Sequence, residues 1–184
     1  MLKWIESGGG PLVLMDENSV KGWSGVLDSR AYADNKLEDA ADFMDAEQAD
    51  YGKACLVEDM LGLVDVDDNQ ALVLNDDALP TTVLPPIDSV TVIARAVSGE
   101  SFAKVEAYLK QLPLASITDW QEFGIFRVVD EYLVLFDAAA YAIILREPDY
   151  LAINMPVGSY FVSTAMYEPD EQTQVLLHKL EKVG

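Results

Sequence analysis

Thiol and imidazole chemistry is nearly missing from this sequence. Its 184 residues include one cysteine, Cys55, and one histidine, His178. A single thiol excludes an intramolecular disulfide, which fits a reducing compartment and makes a cytoplasmic location the expectation. One thiol and one imidazole also leave no zinc-ligand pattern of the usual Cys/His kind. Basic residues are scarce, with 12 Lys and Arg against 32 Asp and Glu and a net charge of −20. A field of that sign repels phosphate, so neither nucleic acid nor an anionic membrane is expected as a direct ligand. No run approaches the ~20 apolar residues of a membrane helix, and residues 1–27 lack a basic segment followed by an apolar run, so no secretory signal is expected. No glycine-rich loop opens a helix. Ser7–Gly10 leads into Pro11 and a strand, the wrong context for cradling phosphate.

What is present is enough apolar material for a core. The chain is 51% hydrophobic and 24% charged, which argues for one globular domain spanning 1–184 rather than general disorder. The acid is concentrated. Asp28–Asp77 carries 15 acidic residues against 3 basic ones, −12 of the −20. Adaptation to high salt would spread the charge evenly. A local excess instead suggests an acidic surface presented to a basic partner protein. A solvated helix face and a poorly ordered loop are the competing readings of the same stretch.

Along the chain, Met1–Ile5 and Pro11–Met15 read as short strands on either side of the Ser7–Gly10 turn. Val20–Val26 reads as a turn or a single helical turn. Leu37, Ala40, Ala41 and Met44 fall at i, i+3, i+4 and i+7, which predicts a helix with Glu38, Asp42 and Asp45 on a neighbouring face. Lys53–Val57 reads as a strand or a short helix. Val64–Val66 and Ala71–Leu74 form a hairpin about Asp67-Asp68-Asn69. Asn75–Thr82 is a loop, and Pro85-Pro86 is a rigid break that could separate two lobes. Ser89–Val97 is a strand, and Glu100–Leu112 is a helix ended by Pro113. Gly124–Val129 and Tyr132–Phe136 flank Asp130-Glu131 as a second expected hairpin. Ala142–Leu145 and Leu151–Ile153 are short strands. Tyr160–Met166 and Thr173–Leu180 form a terminal antiparallel pair. The expected class is α+β, predominantly antiparallel β with about two helices.

Nothing in the pattern argues for catalysis. His178 sits within an apolar strand, where it faces solvent or serves as a hydrogen-bond partner rather than as a base. Cys55 reads as a small buried hydrophobe. Asp65, Asp67, Asn69 and Asp76 match positions 1, 3, 5 and 12 of a calcium loop, but Gln70 replaces the glycine at position 6 and no helix pair flanks the loop. Any two of the many carboxylates could be paired as acid and base, so that signal has no specificity. No cofactor is expected. A carboxylate-based metal-binding module or enzyme, and a generic acidic adaptor, are the alternatives to an inhibitor.

Short stretches across nearly the whole chain resemble immunity protein family twenty-one of bacterial polymorphic toxin systems. They are Trp4-Ile5-Glu6-Ser7, Gly9-Gly10-Pro11-Leu12, Trp23-Ser24-Gly25, Asp50-Tyr51 and Ala54-Cys55. Ala71-Leu72-Val73-Leu74, Asp76 and Leu79-Pro80-Thr81-Thr82 follow. The later ones are Leu135-Phe136-Asp137-Ala138, Gly158-Ser159-Tyr160 and Leu177-His178-Lys179-Leu180. Asn75 departs from the pattern, standing where a glycine is expected, and Ala31–Gln48 looks peculiar to this chain. The resemblance implies a non-catalytic inhibitor that binds a cognate toxin domain and occludes its active site. Trp4, Gly9, Pro11, Trp23 and Gly25 would then be scaffold. With the acidic belt, the expected partner is a toxin with a basic surface, as many nuclease toxins are. Its expected contacts are Glu38, Asp39, Asp42, Asp45, Glu47, Asp67, Asp68, Asp76 and Asp77.

Overall fold

The computed structural model describes residues 1–25, 49–75, 78–87, 89–140 and 149–184. Strand β1 (Leu12–Asp16) runs into a 3-10 turn, Glu17–Gly22. Helix α1 (Asp50–Cys55), β2 (Leu61–Val66) and β3 (Asn69–Leu74) follow. Next come β4 (Thr81–Val83), β5 (Val90–Ser98), helix α2 (Phe102–Leu109) and a second 3-10 turn, Leu114–Ser116. The chain ends with β6 (Gln121–Val128), β7 (Tyr132–Asp137), β8 (Tyr150–Asn154), β9 (Gly158–Asp170) and β10 (Thr173–Lys182). The fold is α+β and mostly antiparallel β, as the sequence led us to expect.

The residues gather into two compact units built from interleaved segments. One comprises Met1–Glu6, Leu79–Arg127 and Gly158–Gly184, and the other Ser7–Ala78 and Val128–Val157. The first holds 10 acidic and 7 basic residues, a net −3, whereas the second holds 22 and 5, a net −17. We call them the balanced and the acidic unit.

The balanced unit is built on the sheet β4-β5-β10-β9-β6. Its centre is the long β9–β10 hairpin, in register from Tyr160 opposite Lys182 to Tyr167 opposite Val175. Helix α2 starts where Ser101 accepts a hydrogen bond from the Lys104 N–H at 3.3 Å, which satisfies one orphan donor of the first turn. Val105 and Leu109 then share a face and pack on Leu84, Val92, Ala94, Val175 and Leu177. The opposite sheet face carries Arg95 and His178, both fully buried.

The acidic unit is built on the sheet β2-β3-β1-β7-β8. One face presents Val13, Met15, Val64, Val66, Ala71, Val73, Val134 and Phe136, packed with Val20, Trp23, Ala54 and Ala138. Strand alternation puts Leu12, Leu14, Leu61, Leu72, Leu74, Leu133 and Leu135 on the other face, and these are buried too. Burial of both faces accounts for the unbroken apolar runs Leu12–Met15, Ala71–Leu74 and Leu133–Phe136.

Several expectations are corrected. β6 and β7 do not form a hairpin, because they belong to different sheets. The segment between them is held instead by Asp16, whose Oδ1 accepts the Val129 N–H at 3.3 Å and the Asp130 N–H at 2.9 Å. Pro85-Pro86 separates no lobes, since both prolines lie inside the balanced unit. Met1–Ile5 forms no strand. Ile5 makes a single bridge to Thr81, and Thr81 and Thr82, expected at the end of a loop, belong to β4 on the edge of a sheet. Lys53–Val57 resolves in favour of helix at its first half. The expected helix over Leu37–Met44 and strand over Ala142–Leu145 lie outside the described residues.

Candidate protein-docking surface

The short motifs near the chain start form scaffold. Trp23 is buried and its Nε1–H donates to the Ala138 carbonyl at 2.8 Å, while its ring meets Phe136 edge-on at 6.0 Å. Gly25 runs so close to β7's exit that an added Cβ would stand 2.6 Å from the Ala139 carbonyl oxygen. No side chain fits there. Gly9 has φ +123, a backbone angle that side-chain-bearing residues rarely adopt. Ser24 and Asp50 clasp each other: the Ser24 Oγ–H donates to Asp50 Oδ2 at 2.9 Å, and the Asp50 N–H donates back to Ser24 Oγ at 2.8 Å. Burial raises the Asp50 carboxyl pKa, but hydrogen bonds from Lys53 and Ser24 outweigh it and hold it below its usual value. In the balanced unit, Trp4 Nε1–H donates to Glu106 Oε1 at 3.2 Å and its ring lies 5.3 Å from Phe102.

That scaffold fixes the edge of the acidic sheet. Among the described residues β2 pairs only with β3. Its leading loop presents Glu58 and Asp59, its body Asp65, and its closing turn Asp67 and Asp68, all exposed. Asp67 turns the hairpin with φ +52, an angle that Asp tolerates better than most residues. None of these five carboxylates forms an ion pair among the described residues. The one base in this part of the chain, Lys53, is engaged with Asp50 at 2.8 Å. Two exposed apolar side chains, Leu56 at 66% and Met60 at 40%, stand in the same loop. The edge therefore combines unneutralised charge with apolar anchors, a pairing that suits a protein partner.

Asn75 holds this loop. Its side-chain amide donates to the Val57 carbonyl and, at 3.4 Å, to that of Asp59, and its N–H donates to Met60 O at 3.0 Å. A glycine could supply only the backbone bond.

A second feature lies at the opposite edge of the sheet. A cavity of about 250 Å³ is lined by Glu17, Tyr132, Leu133, Val134, Tyr150, Ala152, Ile153 and Asn154. Tyr132, Val134, Tyr150, Ala152 and Asn154 share one sheet face by the β7–β8 register, and Glu17 enters from the 3-10 turn. No local sequence signal marks this cavity, because its walls come from three separate elements.

Of the expected contacts, Asp67 and Asp68 lie on the β2 edge, while Glu38, Asp39, Asp42, Asp45, Glu47, Asp76 and Asp77 lie outside the described residues. Reading the sequence did not single out Glu58 and Asp59 as contacts. Their clue was the exposed apolar-acidic run Leu56–Met60 between two buried elements.

Two further readings are corrected. Cys55 is exposed rather than buried, because the short helix turns its last residue outward. Of the two expectations for His178, the hydrogen-bond partner holds and the solvent-facing one does not. The residue is enclosed at 0% exposure, its Nδ1 is 2.9 Å from Thr164 Oγ1, and burial followed by the Arg95 charge pushes its pKa down to about 3. An imidazole so enclosed has no access to a substrate. No group of three or more metal-ligating side chains assembles among the described residues. Asp65 and Asn69 flank a tight strand turn rather than an open calcium loop.

The described structure thus joins two sheets and an acidic sheet edge with two exposed apolar side chains. A family model described as Immunity protein 21 matches residues 3–173, and the chain belongs to that family. Searches of curated proteins and of solved structures found no match.

Proposed function

We propose that this chain neutralises a cognate toxin domain in the cytoplasm by docking its acidic unit over a basic active-site surface. Family membership supports an immunity role. The observation that carries the docking reading is the contrast between units: net −17 in one and −3 in the other. In the described part of the acidic unit, five exposed carboxylates on one edge have no cationic partner. Such a surface speeds encounter with a cationic protein, and a nuclease built to hold phosphate is the natural target. Inhibition then needs obstruction alone, with no catalysis and no cofactor. The other expected contacts, Glu38, Asp39, Asp42, Asp45, Glu47, Asp76 and Asp77, lie outside the described residues and belong to the reading as further acidic residues of the same unit.

The test is co-expression with the toxin domain encoded beside this chain. A stoichiometric complex that abolishes toxin activity is expected. Reversing Glu38, Asp42 and Asp45 to Lys should slow its assembly steeply at low salt. Unchanged assembly at every salt concentration would defeat the acidic-surface reading.

A further inference from the structure

We propose that the cavity between β7, β8 and the Glu17–Gly22 turn is a socket for an arginine side chain of the partner protein. The inference deepens the docking reading and rests on it. Size comes first. At about 250 Å³ the space falls below the ~300–1,000 Å³ of small-molecule sites, which argues against a nucleotide or a metabolite and suits a single side chain. Chemistry comes second. Tyr132 and Tyr150 stand on the same sheet face, opposite Asn154 and Phe136 respectively, with the buried Val134 between them on β7. Glu17 supplies an exposed carboxylate at the rim and forms no ion pair among the described residues. One exposed aromatic side chain, Tyr132, over an apolar floor and beside one carboxylate suits a flat, weakly hydrated cation. Lysine's compact, strongly hydrated ammonium gains less from such walls.

Charge complementarity selects the occupant. The socket lies in the unit that holds −17, and the segments feeding its walls add Asp130 and Glu131 before Tyr132 and Asp149 before Tyr150. An apolar side chain would leave the Glu17 carboxylate shielded from water without a partner. Asn154 offers a further acceptor at the rim. Tyr132 is 58% exposed, so the socket reaches solvent and its walls can be changed without opening the core.

The experiment uses the full chain and small probes. Amide shifts are followed by NMR during titration with N-acetyl-arginine amide, with the lysine analogue and with the uncharged citrulline analogue. The arginine probe should move the amides of Tyr132, Ala152 and Asn154 saturably. Its apparent Kd should rise about tenfold in Glu17→Gln and severalfold in Tyr132→Ala. The citrulline probe should bind at least about tenfold more weakly than the arginine probe. Equal binding of citrulline, equal binding of lysine, or shifts that neither saturate nor localise would each overturn the arginine assignment. A triple variant Asp65→Lys, Asp67→Lys, Asp68→Lys separates this inference from the docking proposal. It should slow association with the toxin at low salt while leaving the probe titration unchanged. Loss of the probe shifts in that variant would show a diffuse charge effect and overturn the socket.

Discussion

The two units share a construction and differ in how they handle charge. Each is a five-stranded sheet with apolar side chains on both faces. In the balanced unit, four acids are answered where they stand. Lys104 reaches Glu100 at 3.0 Å and Asp170 at 3.1 Å, Lys110 reaches Glu106, and Lys179 reaches Glu181. Asp170 also accepts the Tyr108 hydroxyl at 2.8 Å, and its pKa falls well below the usual carboxylate range. In the acidic unit the single described ion pair, Lys53 with Asp50, serves an internal clasp. The unit's other acids form no ion pair among the described residues. Self-repulsion of this kind costs stability.

The comparison can be broken first at its shared premise, that both units are held by buried apolar packing. Trp23→Ala should cost about 3–5 kcal/mol, the range for deleting a large buried aromatic ring, read by urea denaturation. Trp23→Phe should cost clearly less and report mainly the lost bond to Ala138. A near-neutral Trp23→Ala would mean that the motif is not scaffold.

Acid should then separate the units. His178 has a folded pKa of about 3, below the ~6.5 of an unfolded chain. The unfolded state takes up a proton that the folded state refuses. Stability is therefore full above pH 6.5 and is lost as pH falls toward 3, at up to about 1.4 kcal/mol per pH unit. Between pH 6.5 and 5 few carboxylates titrate, so the window isolates the histidine. Hydrogen exchange should show the balanced unit opening first there, and His178→Leu should flatten the slope. A parent protein with no slope in that window would contradict the enclosed imidazole.

Smaller effects sharpen the contrast. Asn75→Gly removes the side-chain bonds that hold the Val57–Met60 loop, at about 1 kcal/mol in stability. It should raise exchange at Glu58 and Asp59 and leave the balanced unit unchanged. Cys55→Ser should stay within ~0.5 kcal/mol, as an exposed site does. A large loss there would restore the buried reading of this thiol.

Local chemistry made parts of the fold legible. The β2–β3 turn was visible in Asp67-Asp68-Asn69, and the β9–β10 pair and the β5–α2 segment in their punctuation by Ser, Gly and Pro. The false hairpin at Asp130-Glu131 shows the limit. Turn-forming residues mark a change of direction but not the sheet that receives the next strand, and the deciding group, Asp16, is more than a hundred residues away. For His178 the sequence left two readings open, solvent-facing or hydrogen-bonded, and only the second holds. Its strand alternates weakly because both sheet faces are buried, so polarity alone could not assign its side. The acidic edge was half legible. Its turn carboxylates stood out, but Glu58 and Asp59 needed the fold to place them on the same strand edge, and the socket of Glu17, Tyr132 and Tyr150 left no trace in any single stretch.

The most direct test is to measure association with the cognate toxin for two matched variants across salt. One reverses Asp65, Asp67 and Asp68 to Lys on the acidic unit, and the other reverses the exposed Asp119, Glu122 and Glu171 on the balanced unit. The first should associate about 10–100-fold more slowly at low salt and converge on the parent at high salt, while the second stays within about twofold. Equal slowing by both variants would show that net charge, not a docking face, governs binding.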